Sequence, residues 1–438
     1  MPLIGLQCCE SSPSRPLSPT ELSGPTLERL RDEFVAEHSL DFADESNLCP
    51  RLPPALPFYA LPEQQLLAYD RHREISELGH VFRIANGLHD FVDAVVVTGS
   101  GSAWRGAQAL AQACCDPFHN ELSRAARGSK PRIYFQSADF DNDRLQSLLA
   151  RLAAGGYSDS AAESLWALIA IDQPAPCDAQ RWLIDHLMRP LTTASVTSKT
   201  ESGDPVRQQL ATAIAYPDSP LVQRFEQLGF NPPLRIPMTT PGAYSLLTPA
   251  GLLPAAFLGF DCIQLLVGAA AMNEHFKSTP AEKNMVLRYV AANRQGQPIG
   301  TGRLLAVWSR SLLAMGHWVS ELHRDSFGGA AGRTETVLGI DRLLDADSET
   351  LSSLRGRVCN HVLVQSPRTD PIDTADGNLP DRATDAIAAT QSRLAAAGIR
   401  QTTLTLPLID PHSLGQLFQL WMLAASIEAA VIEAGLGV

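Results

Sequence analysis

The stretch Val95 to Leu110, VVVTGSGSAWRGAQAL, holds the residues of this sequence best suited to chemistry. Gly99, Ser100, Gly101 and Ser102 form a turn between a β-branched run and a helical pattern. Such a turn lets backbone N–H groups approach an anion at a helix N-terminus, and Ser100 and Ser102 add hydroxyl donors. A dinucleotide fingerprint needs GxGxxG, and Trp104 occupies its third glycine position. A P-loop, GxxxxGK[ST], does not occur. Anion binding and a purely structural tight turn both fit the pattern. Elsewhere the chemistry is sparse. His317 and His323 lie six apart, too far for one helical face, and neither CxxC nor a Cys/His ligand cluster occurs, so no metal and no cofactor is expected. The adjacent pairs Cys8-Cys9 and Cys114-Cys115 are expected to be reduced thiols.

The elements that position this turn follow from periodicity. Ala94 to Val97 reads as a parallel strand buried on both faces, and a helix follows through Ala107 to Cys115. Further strands are expected at Arg132–Phe135 and Leu165–Ile171, separated by helical patterns, which implies right-handed crossovers and a parallel sheet. A second sheet is expected from LLAVWS (304 to 309), HVLVQS (361 to 366) and TLTLPL (403 to 408), with helices at 311 to 323, 381 to 396 and 411 to 433. Helices are also expected at Leu27–Glu37, Glu63–Leu88 and Asp178–Met188, and GLLPAAFLGFDCIQLLVGAAAMNEHF reads as a buried helix pair. Residues 1–25 are Ser- and Pro-rich and are expected to be a loose tail. The reading is therefore α/β, with a domain over 26–250 and another over 251–438.

Composition narrows the partners. The 438 residues carry a net charge of -12 without a clustered basic face, which argues against nucleic acid. The N-terminus lacks the charged start and long apolar core of a signal peptide. The apolar stretch Gly251 to Phe260 is broken by Pro254 and is short for a membrane span. A cytoplasmic protein with no membrane partner is expected.

Several segments in order resemble the glucose-6-phosphate isomerase family. VVVTGSGSAWRGAQAL is similar to that family's strand, Gly-x-Gly-Gly-Ser and helix. YPDSPLVQRFEQLGFNPPLRIPMTTPGAYSLLTPAGLLPAAFLGFD resembles its run from a T-D-P-x-S turn through G-G-R-[FY]-S to a Gly-hydrophobic-Pro helix. LLVGAAAM, WSRSLLAMGHWVSELHRDSFGG and LTLPLIDPHSLGQLFQLWMLAASIEAAVIEAGLGV continue the agreement. The resemblance implies two three-layer sugar-isomerase domains on parallel sheets, with additional helices. It also implies aldose–ketose isomerisation in glycolysis and gluconeogenesis, a phosphosugar ligand and a homodimer.

By the same resemblance, Gly99, Ser100, Gly101, Ser102 and Gly242 are the substrate-binding positions, and Asp325 stands where the family has its catalytic Glu. The match is incomplete at the chemistry. Ala243 replaces the family's Arg, and Gly329 replaces a Lys. No His lies between Thr334 and Val358, where the family places its ring-opening acid, and His361 belongs to the following strand. The family's terminal Lys segment would follow Val438. Ser198-Lys199-Thr200 resembles the start of the family's phosphate loop, whereas by element order Asp172 to Asp178 takes that place, with acidic charge and two prolines. Two functions fit: an isomerase with Asp325 as base, or a non-catalytic sugar-phosphate-binding or regulatory relative.

Overall fold

In the computed structural model the described residues are 3–8, 22–155, 165–173, 178–193, 199–200, 203, 205–294, 302–328, 333–375 and 377–436. Most of the expected tail, Pro174-Ala175-Pro176, Ser198, Glu201, Asp204 and Gly329 lie outside them. The chain divides into two compact units, one formed by residues 40–263 and the other by 1–39 with 264–438.

In chain order, β1 (Gly5–Cys8) and α1 (Gly24–His38) come first and belong to the discontinuous unit. The continuous unit then runs α2 (Leu61–His72), α3 (Glu77–Gly87), β2 (Val92–Gly99), α4 (Gly101–Cys114), β3 (Arg132–Ser137), α5 (Asn142–Ala154), β4 (Leu165–Ile171) and α6 (Asp178–Thr193). It closes with the short α7 (Val206–Gln209), β5 (Ala211–Ala215), α8 (Pro220–Gln227), β6 (Leu234–Arg235) and α9 (Pro249–Phe257). The remainder comprises α10 (Cys262–Ser278), α11 (Met285–Arg294), β7 (Arg303–Val307), α12 (Leu313–Phe327) and β8 (Thr334–Leu338). After these come α13 (Gly339–Arg342), α14 (Ser348–Ser353), β9 (Val358–Val364), the small hairpin β10 (Asp373–Thr374) and β11 (Gly377–Asn378), α15 (Leu379–Ala396), β12 (Arg400–Leu406) and α16 (Pro411–Glu433).

The continuous unit is built on a five-stranded parallel sheet ordered β3-β2-β4-β5-β6. β4, LWALIAI, is buried at every position, the pattern of a parallel strand covered on both faces. Helix starts follow local chemistry. Asp141 caps α5 by accepting from the Arg144 amide, and Ser219 caps α8 ahead of Pro220 in the first turn. The single helix expected over Glu63–Leu88 is in fact two. Arg73 takes a left-handed φ of 45° at the end of α2, and Ser76 starts a new helix by capping the Gly79 amide.

The discontinuous unit repeats the plan with the order β1-β12-β9-β7-β8, in which the last four strands are parallel. Leu304, Ala306 and Cys359 pack with Leu394 and Ile399 beneath α15, while α12 packs against β7 and β8. β1 lies in the expected tail, where it pairs antiparallel with β12 from Gly5↔Thr405 to Cys8↔Thr402. α1, expected to lead the N-terminal domain, instead packs on α16 of this unit, with Leu27 and Leu30 buried. β8 and α11 had no sequence expectation; TETVL of β8 is only partly buried and too mixed to read as a core strand. The 23-residue α16 is long and apolar enough to cross a membrane, yet 78% of its apolar window is buried inside the protein, which makes it a core helix.

Candidate functional site

In an open parallel sheet, ligands bind beyond the carboxyl ends of the strands where the order reverses. In the continuous unit the chain passes from β2 to β3 on one side and then to β4 on the other. The ends of β2 and β4 therefore flank a crevice. β2 ends at Gly99, Ser100 is the N-cap, and α4 begins at Gly101. The Gly/Ser turn thus sits at a reversal of strand order, and the helix after it has no capping side chain from Ser100.

Each residue of the turn has a physical reason to be there. A Cβ on Gly99 would stand 2.9 Å from the Ile171 carbonyl oxygen, so a side chain would force β2 and β4 apart. Gly101 has φ +71°, a left-handed conformation that costs an L-residue about 1–2 kcal/mol. Ser100 donates its hydroxyl to Gln173 Oε1 at 2.6 Å, with Gln180 Oε1 at 3.3 Å. Gln180 in turn donates to the Ile171 carbonyl at 3.0 Å. Ser102 is buried in the first turn of α4. Trp104 donates from Nε1 to the Val97 carbonyl at 3.0 Å and meets Phe135 edge-on, which ties α4 to the sheet.

Gly242 opens a 3-10 segment, Gly242–Leu247, that packs against α4. Its N–H donates to the Tyr216 hydroxyl at 3.4 Å, just beyond β5, so Gly242 belongs to the same side of the unit as the turn. Ala243, where the resemblance places an Arg, is fully buried.

β4 leads directly into Asp172 and Gln173, whereas Lys199 lies after α6 in an isolated bridge to Pro205. Asp172 is 2% exposed. Its carboxylate accepts from the Tyr216 N–H at 3.4 Å and also from the Ser219 hydroxyl and the Gln173 N–H. Burial raises its pKa above the ordinary carboxylate value, and these hydrogen bonds offset only part of the rise. Asp172 also lines a cavity of about 260 Å³ between α6 and α8, whose walls include Gln180, Ile184, Asp185, Ser219 and Arg224. The sequence carried one signal for it, an acidic residue directly after a fully buried strand.

Asp325 lies in the other unit, near the end of α12, with a side chain 35% exposed and Arg324 at 3.9 Å. The same unit holds a buried charge cluster that sequence reading missed. Arg303 donates to both Glu428 oxygens at 3.0 and 2.6 Å, and Arg294 Nε stands 3.2 Å from the same carboxylate. His323 stacks on Phe327, bonds Thr334 Oγ1 at 2.6 Å, and is kept neutral by burial and by the charges of Arg303 and Arg294. His361, at the second sheet's own reversal of strand order, accepts from Trp308 Nε1 at 3.1 Å, which leaves its Nε2–H to donate to Gln401 Oε1 at 3.0 Å. Burial holds its pKa down to about 4. With both ring nitrogens engaged inside the protein, it is a core residue.

The phosphoglucose isomerase family model matches residues 232–330. A glucose-6-phosphate isomerase of Symbiobacterium thermophilum is 26% identical over 85% of this chain and 81% of its own length. One from Heliobacterium modesticaldum is 24% identical over 59% of this chain and 54% of its own length. Among solved structures, a hypothetical protein of Thermus thermophilus superposes over 92% of this chain and 89% of its own with a TM-score of 0.69 at 21% identity. A glucose-6-phosphate isomerase of Chlamydia trachomatis superposes over 94% of this chain and 83% of its own with a TM-score of 0.64 at 14% identity. At these identities the structural likeness speaks to the fold.

Proposed function

We propose that this chain, a divergent relative of the glucose-6-phosphate isomerases, binds a phosphosugar at the carboxyl edge of the β2–β4 sheet, with Gly99, Ser100, Gly101, Ser102 and Gly242 as the binding positions. The observation that carries the reading is the left-handed Gly101 turn opening α4 at a reversal of strand order. Amides at the start of a helix present donors and a positive dipole end to an anion. The chain is read as a cytoplasmic homodimer that acts on, or senses, a glycolytic or gluconeogenic sugar phosphate.

Two forms of this function are separable. In the first, Asp325 abstracts the proton from the carbon beside the aldehyde and returns it to the neighbouring carbon, converting an aldose to a ketose through an enediol. In the second, the protein binds the sugar phosphate without turning it over. Ala243 in place of an Arg, and the absence of a His between Thr334 and Val358, favour the second.

A coupled assay with fructose 6-phosphate separates them. Turnover that is lost in Asp325→Ala supports the isomerase. Ligand-induced thermal stabilisation without turnover supports the binder. If fructose 6-phosphate gives no turnover and no stabilisation, it is excluded as substrate and as ligand. Sedimentation velocity at micromolar concentration is expected to give the mass of two chains, and a single-chain mass would remove the dimer from the proposal.

A further inference from the structure

Buried carboxylates in this protein hold arginines. In the continuous unit Glu77, 2% exposed, accepts from Arg51 Nε at 2.5 Å. In the other unit Glu428 holds Arg303 and Arg294. Even the partly exposed Asp93 gathers Arg124, Arg127 and Arg132. Asp172 departs from this rule. It is as buried as Glu77, its partners are a hydroxyl and two amides, and it makes no ion pair among the described residues. The nearby cations are committed elsewhere, Arg224 to Asp185 at 2.8 Å and Arg181 to Asp178 at 3.5 Å.

An ionised buried carboxylate without an ion pair is costly, and the cost is relieved by taking up a proton or by a counter-charge that arrives from outside. Asp172 borders an open volume that can admit one, the cavity of about 260 Å³ between α6 and α8. A metal ion needs several ligands, and among the described residues no three His, Cys, Asp or Glu side chains converge to hold one. Arg181 and Arg224 also line the cavity, but each is paired with another carboxylate, so the charge there that makes no ion pair among the described residues is the negative one of Asp172. Gln180 both lines this cavity and stands 3.3 Å from the Ser100 hydroxyl, so the cavity and the Gly/Ser turn share a wall.

We propose that the cavity between α6 and α8 binds a ligand ammonium group on Asp172, so that the preferred ligand is an amino sugar, with any phosphate held at the Gly99–Ser102 turn. The inference deepens the phosphosugar reading and names the sugar. Its test is calorimetric titration of the full chain near neutral pH with glucosamine 6-phosphate, glucose 6-phosphate, glucosamine and glucose. Each amine is expected to bind roughly 10- to 100-fold tighter than its hydroxyl counterpart, the scale of a charge-assisted hydrogen bond in a desolvated site. Asp172→Asn, which keeps the shape and removes the charge, is expected to erase that ratio.

Should this variant fail to fold, N-acetylglucosamine 6-phosphate serves on the wild-type protein, where masking the amine must abolish the preference. Equal affinity for glucosamine 6-phosphate and glucose 6-phosphate overturns the amine assignment and leaves the phosphosugar reading standing. An Asp172-dependent preference for glucosamine over glucose, with nothing gained from the phosphate, keeps the assignment and overturns that reading. Binding by none of the four overturns both.

Discussion

At the scale of single residues, a histidine's protonation reports what surrounds it. His361 is enclosed by Trp308 and Gln401, and burial lowers its pKa from the usual 6.5 to about 4. The unfolded chain therefore binds the proton more readily than the folded one between these values. This contribution to stability is complete above about 6.5 and is lost as the pH falls through 4. His80 is depressed to about 4 as well, by burial first and then by Arg51 and Arg83, and acts in the same window with the same sign. Chemical denaturation between pH 7 and pH 4 is expected to show falling stability, and His361→Gln to flatten that slope by on the order of 2–3 kcal/mol. An unchanged slope would mean that the His361 ring is reached by water in the native state. Gly101→Ala tests the turn at the same scale. Left-handed strain is expected to cost about 1–2 kcal/mol and to weaken sugar-phosphate binding, measured by denaturation and titration together.

At the scale of elements, the protein joins sheet to helix through a few buried polar links. Arg303 starts β7 and Glu428 sits late in α16, and their paired hydrogen bonds fix the helix against the sheet. Glu428→Gln leaves two guanidinium groups in the core without a counter-charge. Breaking a buried pair by removing one partner costs about 3–5 kcal/mol, so urea unfolding of this variant is expected to move by that amount. A shift below about 1 kcal/mol would show that water already screens the cluster. In the other unit, the polar link is Ser100 to Gln173 and Gln180, which joins the α4 turn to the chain after β4. Such a link at the candidate site positions the two loops that border the ligand crevice.

At the scale of the whole molecule, two units follow one strand plan, with the order reversing beside β2 in one and beside β7 in the other. The continuous unit needs no other part of the chain to complete its sheet, so residues 40–263 expressed alone are expected to unfold cooperatively by circular dichroism. The other unit is completed from both ends of the chain. Residues 264–438 alone lack β1, which covers the edge of β12, and α1, which covers α16, so this piece is expected to aggregate on size-exclusion chromatography. Strands 94–97, 132–135 and 165–171, the long helix 411–433 and the Gly99–Ser102 turn were legible from sequence, because apolar runs, caps and glycine turns are properties of neighbours along the chain. The break at Arg73, the pairing of Gly5–Cys8 with β12 and the allegiance of α1 were not, since each depends on what lies opposite in space. Asp172 shows the division most clearly. Its acidic type at the end of a buried strand was visible in the sequence, but its lack of a cation and its place on a cavity wall arise only when Tyr216, Ser219 and α6 fold around it. Local patterns set which elements form, and long-range packing decides which charges are left for a ligand to meet.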